Sequence, residues 1–270
     1  MTTATKKSAT DYKVDIKNSI TRLGKQLSEG KSESLKIYLK SMAQFHQYSF
    51  SNVMLIMLQN PDAKQVAGYK TWQKLKRNVR SGEKGLKILA PGFSKSKDKS
   101  IGEESDKIYF RCVSVFDISQ TTGESLPEPS NSTGDATEFI PKIENVIKER
   151  GISLEYKDYD ADYYGDSNAK EKRITINNSL SSAETFRTLA HELAHSILHP
   201  GKGDKAIREL ESDAVSCVVS EFYGLKNSIE SASDYIQLWG GNIKQFNERM
   251  STIQKTSDII IKAMEEKLND

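Results

Sequence analysis

The stretch His191-Glu192-Leu193-Ala194-His195 constrains this chain more than any other. It reads H-E-x-x-H. On an α-helix, positions i and i+4 share a face, so both imidazoles can be aimed at one metal ion. Glu192 lies beside them, where a carboxylate can take a proton from water. Two histidines, an acid and a third protein ligand from elsewhere form the donor set of a hydrolytic zinc site. A five-residue pattern with three fixed positions also arises by chance, but its surroundings argue against that here. The chain has four histidines, and His191, His195 and His199 fall within nine residues. Ser181 and Glu184 fit a capping box. Phe186, Leu189, Leu193 and Ile197 recur at helical spacing and predict a core-facing side, and Pro200 predicts the stop.

The third ligand is expected on the following helix, which Asp204 can cap and which Gly224 ends after about Tyr223. Glu209, Glu211 and Asp213 are the candidates. Glu209 and Asp213 stand four residues apart on one face. That spacing suits a ligand plus an acid that orients a ligating histidine. Glu211 would point about 200° away from Glu209. Glu209 is therefore preferred, with Glu211 as the alternative. His199 reads as a helix-end residue interacting with the last carbonyls.

With 270 residues the chain has room for two domains. No apolar run approaches a membrane span, and residues 1–20 lack a signal-peptide core. Cys112 and Cys217 are far apart and sit in no C-x-x-C pattern. A cytoplasmic location is the expectation. The net charge of +2 hides an asymmetry: residues 1–90 hold 17 Lys/Arg against 6 Asp/Glu, and residues 91–270 hold 22 against 31. The first part suits a polyanion such as nucleic acid; a lysine-rich solvated surface is the plainer alternative.

Residues 1–10 read as a tail. From Asp11 to about Met57 the pattern is helical (Ile16, Ile20, Leu23, Leu27, then Leu35, Leu39, Met42, Phe45), broken near Gly30. An apolar helix from Val53 to Leu58 ends at Gln59-Asn60-Pro61, and a further helix carries Tyr69, Trp72 and Leu75. Gly82 to Gly85 turn into a strand from Leu86 to Ala90, which Pro91 is expected to halt. Residues 94–107 read as a loose loop, and a strand returns from Ile108 to Ile118. Between Lys64 and Lys87, eight basic residues (Lys64, Lys70, Lys74, Lys76, Arg77, Arg80, Lys84, Lys87) face one acid, Glu83, with Tyr69 and Trp72 interleaved. Cations attract phosphate and rings can stack on unpaired bases, but the same rings also suit a core.

Residues 126–138 read as a linker. Beyond it, a helix is predicted from Ile140 to Arg150, strands at Ile152 to Tyr156 and Arg173 to Ile176, and helices at 231–239 and 242–268. The last two pack through Trp239, Phe246, Ile253, Ile260 and Met264. Tyr163 and Tyr164, in the loop between the strands, could line a cleft or stabilise an oxyanion; packing at a strand end is the preferred reading.

The segments Tyr48-Ser49-Phe50-Ser51-Asn52, Gln59-Asn60-Pro61, Val66-Ala67-Gly68-Tyr69, Trp72, Arg77, Gly82-Glu83-Lys84-Gly85, Ile88-Leu89-Ala90-Pro91 and Val115-Phe116-Asp117-Ile118-Ser119-Gln120-Thr121 resemble the N-terminal domain of ArdC-type antirestriction proteins. That resemblance implies a single-stranded DNA-binding module over residues 11–125 and a mobile element or phage as its setting. Lys76 departs from the pattern, standing where many relatives carry glycine. His191 to His199 and Arg208-Glu209-Leu210-Glu211-Ser212-Asp213-Ala214-Val215 resemble the ImmA/IrrE-like zinc metallopeptidases, over about residues 139–268. This second resemblance implies His191 and His195 as zinc ligands, Glu192 as general base and Glu209 as third ligand.

The expected architecture is a mainly helical α+β protein of two domains. Each holds a small antiparallel sheet, and the second has a zincin-like H-E-x-x-H helix. The expected function is single-stranded DNA binding joined to zinc metallopeptidase chemistry. Asp213 would orient a ligand, and Tyr69, Trp72, Lys74, Lys76, Arg77, Arg80, Lys84 and Lys87 would contact DNA. Two other readings stay open: a DNA-shielding protein whose zinc is structural, and a regulatory endopeptidase that cleaves a repressor.

Overall fold

The computed structural model describes residues 7–30, 33–97, 104–126, 134–160, 163–199, 204–225 and 241–266. The chain divides into two compact units, Met1–Thr21 with Ser51–Leu126 and Arg22–Phe50 with Pro127–Asp270. The sequence boundary at 126–138 separates the units only at one end, because residues 22–50 cluster with the C-terminal part of the chain. Both units mix helices with small sheets, so the fold is α+β and mainly helical, as expected.

The first unit holds the N-terminal part of α1 (Ala9–Ser28), α3 (Phe50–Gln59), β1 (Val66–Ala67), α4 (Tyr69–Lys74), β2 (Arg77–Val79), β3 (Leu86–Lys97), β4 (Glu104–Asp117) and β5 (Thr121–Gly123). β3 and β4 form a long antiparallel hairpin, β1 pairs with the far edge of β4, and β2 pairs with β5. Two α3 side chains cover the open edge of β3 as a neighbouring strand would. Asn52 bonds both the N–H and the carbonyl of Leu89, and Gln59 does the same for Lys87. Odd-numbered β3 residues therefore turn their backbone groups outward. Pro91 falls in that row, where its missing N–H costs no ladder bond, so the strand runs through it to Lys97. The pairing accordingly enters the stretch read as a loose loop.

Asp117 organises the end of β4. Its carboxylate accepts from the backbone N–H groups of Lys64, Gln65 and Ser119, and Gln120 closes a capping box on a short 3-10 turn. Lys76 has φ of +55°, a left-handed conformation that glycine adopts with least strain.

The second unit holds α2 (Glu33–Gln44), α5 (Ile140–Glu149), β6 (Ser153–Lys157), β7 (Gly165–Asn168), β8 (Arg173–Asn177), α6 (Ser182–Leu198), α7 (Lys205–Phe222) and α8 (Ile243–Glu265). β7 was not expected from the sequence; its four residues (Gly-Asp-Ser-Asn) carry no apolar alternation. It pairs antiparallel to β8, and β6 adds to the other edge of β8 in parallel, so this sheet is mixed and not the antiparallel one expected. A side chain at Gly165 would meet the Thr175 carbonyl at 2.6 Å and Thr188 Cγ2 at 2.9 Å. Glycine there lets β7 lie against both β8 and α6. α7 packs on α6, α8 and α2. α2 buries Leu35, Leu39 and Met42 here, and Gln254 of α8 donates to the carbonyls of Met42, Phe45 and His46 at its end. Those apolar residues needed a partner, and periodicity alone does not say which.

The buried residues of α8 include Phe246, Ile253, Ile260 and Met264, as predicted. The predicted helix at 231–239 with Trp239, the Pro200 stop, the turn from Gly201 to Gly203 and most of the 126–138 linker lie outside the described residues. Among the described residues, no helix is long and apolar enough to cross a membrane.

Candidate metal centre

The helix that carries the motif is fixed at its start by the predicted capping box. Ser181 accepts from the Glu184 N–H, and Glu184 reaches back to the Ser181 backbone. Phe186, Leu189, Ala190, Leu193 and Ala194 are buried, which turns His191 and His195 toward α7. Asp204 caps α7 through the N–H groups of Ala206 and Ile207, setting the helix that carries Glu209 and Asp213.

Three donor atoms converge. His195 Nε2 lies 3.0 Å from His191 Nε2 and 3.1 Å from Glu209 Oε2, and His191 Nε2 lies 3.4 Å from the same carboxylate oxygen. Ligands at about 2.0–2.2 Å in a tetrahedral shell are separated by roughly 3.3–3.6 Å. One edge of the triangle matches that spacing and two fall a few tenths of an ångström short of it, close to one face of a zinc-like shell. Among the described residues it is the one His/Cys/Asp/Glu group that could hold a metal ion. Behind it, Asp213 Oδ1 lies 2.9 Å from His191 Nδ1.

Electrostatics divide the two histidines. Burial opposes charge on His191, yet the Asp213 hydrogen bond and the nearby Glu192 and Glu209 carboxylates leave its pKa raised. Burial and the neighbouring His191 lower that of His195. Glu192 is only 7% exposed, and burial raises its pKa. The neighbouring charge of His191 and the Ser167 hydroxyl of β7 act in the opposite direction. Nothing in the sequence marked Ser167, because strand β7 was itself illegible.

Glu211 turns elsewhere. Its Oε2 lies 3.3 Å from His199 Nε2 without hydrogen-bond alignment, and its Oε1 lies 3.8 Å from Arg249 Nε. His199 caps α6 through its backbone N–H, which donates to the His195 carbonyl, while its ring faces Glu211. Burial and the nearby His195 push that imidazole down to about 4. The Tyr163 ring packs at a tilt against Tyr159, 4.5 Å between centroids. Burial first, then Asp166, raises its phenol pKa, and the charge of Glu192 also reaches it. Tyr164 is half exposed.

The basic segment of the first unit is less uniform than its composition suggested. Trp72 is 1% exposed and its indole N–H donates to the Phe116 carbonyl at 2.9 Å. A ring with both faces packed cannot stack on a base, so the core reading of Trp72 replaces the DNA-contact reading. Arg77 is committed to Thr121 and to the carbonyls of Gly123 and Glu124. Arg80 pairs with Glu83 at 2.6 Å, Lys76 with Glu124 at 3.1 Å, and Lys87 donates to Ser114. Lys74, Lys84 and Tyr69 are not buried, and Tyr69 is 49% exposed.

The fold is that of the ArdC antirestriction proteins. The metal-free crystal structure of antirestriction ArdC from plasmid R388 aligns with 93% of this chain and 98% of its own, at a TM-score of 0.56 and 18% identity. The Mn(II)-bound structure of that protein aligns with 84% of this chain and 98% of its own, at 0.49 and 18% identity. Residues 15–116 match the N-terminal domain of anti-restriction factor ArdC, and residues 147–217 match the IrrE N-terminal-like domain of the M78 peptidases. The chain thus joins an ArdC-type N-terminal domain to an IrrE-like, metallopeptidase-type domain. An uncharacterized protein of Bacillus anthracis is 25% identical over 279 residues, which cover 85% of this chain. The chain spans about half the length of that relative (47%).

Proposed function

We propose that this chain is an antirestriction protein that binds single-stranded DNA through residues 11–125 and hydrolyses a peptide bond with the zinc-type site of residues 139–268, in the cytoplasm. The observation that carries the reading is the convergence of His191, His195 and Glu209, with Glu192 beside them and Asp213 behind. His191, His195 and Glu209 would hold zinc. Three protein donors leave room for a further ligand, which favours a catalytic over a closed structural site. When bound, zinc supplies Lewis-acid polarisation of a carbonyl.

The remaining roles belong to the chain. Glu192 takes the proton from attacking water, and its buried position keeps a shifted carboxyl close to the reaction. Asp213 fixes the His191 ring through Nδ1, leaving Nε2 free to ligate. The DNA-binding half would hold the domain on incoming single strands.

The test is Glu192→Gln in the full chain, scored by metal content and by protection of transferred DNA in cells. Retained metal with lost protection is the expected result. Retained metal with full protection would show that hydrolysis is dispensable, leaving a DNA-shielding protein.

A further inference from the structure

We propose that one face of the β3–β4 hairpin, formed by Pro91, Phe93, Ile108 and Phe110, is the surface on which unpaired bases stack. The proposal rests on the single-strand reading above and identifies its site. Pro91 pairs with Phe110 and Phe93 with Ile108 in the hairpin register. Cross-strand partners share a face, and residues two apart along a strand share it too, so the four form one patch. Phe93 is 69% exposed, Ile108 64% and Phe110 48%, and Pro91 is also exposed.

The patch is not a neglected part of the core. The other face of the hairpin supplies the core through Leu86, Ile88 and Val115. Further along that other face, the Tyr109 ring lies so close over Gly92 that an added Cβ would meet it at 2.6 Å. On the face that carries Phe93, Ile108 and Phe110, Lys13 of α1 reaches over Phe110, while Phe93 and Ile108 stay largely open. Four exposed apolar residues in register are more than scattered surface hydrophobics and mark a binding surface.

Charge selects the occupant. The Lys13 ammonium sits 5.1 Å from the centroid of the Phe110 ring. The stretches Met1–Thr21 and Ser51–Leu126 hold 17 Lys/Arg against 10 Asp/Glu. A nucleotide presents a base with flat apolar faces and, across its sugar, a phosphate. A ring beside an ammonium meets both. Phe93 and Phe110 stand diagonally across the pair, roughly 7–8 Å apart at their Cα atoms, which allows one base per ring. Paired bases offer no open face, so duplex would gain from the lysines alone. The patch thus takes the role that buried Trp72 cannot fill.

The experiment uses the full chain and a fluorescent mixed-sequence oligonucleotide, single-stranded or annealed, with anisotropy read across salt. Phe93→Ala and Phe110→Ala should each weaken single-strand binding by roughly 5- to 150-fold, the range for one stacked base. The salt slope and the melting temperature should stay unchanged, because both rings are exposed. Lys13→Ala should flatten the log–log slope by about 0.7. Should an alanine variant melt early, crosslinking of an iodouracil oligonucleotide to wild-type chain decides, with attachment expected at Phe93 or Phe110. Wild-type affinity in the double variant, or crosslinks confined to other segments, overturns the assignment and leaves the single-strand reading intact. Loss of self-association in the variants at unchanged DNA affinity makes the patch a protein interface instead. Failure of the wild-type chain to bind single strands overturns both.

Discussion

Asp213 and His191 are joined through Oδ1 and Nδ1 at 2.9 Å, one helical turn beyond the Glu209 carboxylate that reaches both candidate zinc-binding nitrogens. One face of α7 therefore supplies both a donor and the group that aims another donor. Glu209→Ala should abolish tight metal binding, and Asp213→Ala should weaken it about 10–100-fold. Glu211→Ala should leave affinity within a few-fold, since its carboxylate faces His199 and Arg249. Competition against a chromogenic chelator measures all three, and metal loss in Glu211→Ala alone would move the third ligand there.

Protons should compete with the metal. A ligating imidazole must be neutral, and the Asp213 contact helps hold the His191 pKa above its ordinary value despite burial. Acidification through that raised value therefore loads a proton where the metal must bind. Affinity should fall by up to about tenfold per pH unit for each histidine that must first lose its proton. Metal affinity that is flat between pH 7.5 and 5.5 would count against histidine ligation.

Trp72→Ala should act on stability before it acts on DNA. It removes a fully buried ring and leaves the Phe116 carbonyl without its donor. The loss expected is about 3–5 kcal/mol, seen in the urea unfolding of the full chain. Unchanged stability with lost DNA affinity would restore Trp72 as a contact residue.

Lys76→Gly should stabilise the first unit slightly. The lysine holds φ at +55°, and its ion pair with Glu124 is solvent-exposed. Relief of the left-handed penalty outweighs the extra flexibility of glycine and the weak surface pair by about 0.5 kcal/mol. A lower melting temperature in the variant would refute the strain assigned to Lys76.

His46 should make the second unit acid-sensitive. Burial holds its pKa below the ordinary 6.5, against the opposing pull of Asp258. The unfolded chain then takes up the proton first. The stability contribution is full above about 6.5 and is lost as pH falls through the lowered folded value. His46→Gln should reduce the fall in urea midpoint between pH 7 and pH 5. An unchanged pH dependence in that variant would assign the acid sensitivity to other groups.

The sequence by itself determined the local features. Ser181 and Glu184 place the start of α6, Asp204 the start of α7, and the i and i+4 spacing of His191 and His195 sets both rings on one side. These depend on contacts within a few residues, which a linear pattern records. The choice between Glu209 and Glu211 was half legible: helical periodicity separates their directions, but only packing of α7 on α6 shows which direction faces the histidines. Strand β7 and Ser167 were not legible, because a short polar strand beside a helix owes its place to β8 and to the missing side chain of Gly165. The same holds for the passage of β3 through Pro91, which depends on the open row of that strand facing α3 rather than β4. Trp72 shows the limit from the other side. Its aromatic character and basic neighbours suited both a base and a core, and only the three-dimensional contact with Phe116 decides that its ring is packed away. Residues 22–50 likewise carry an apolar face with no address. Tertiary structure gave it one, because burying that face on α7, with Gln254 capping its carbonyls, satisfies at once the apolar surface and the helix end that the sequence leaves open.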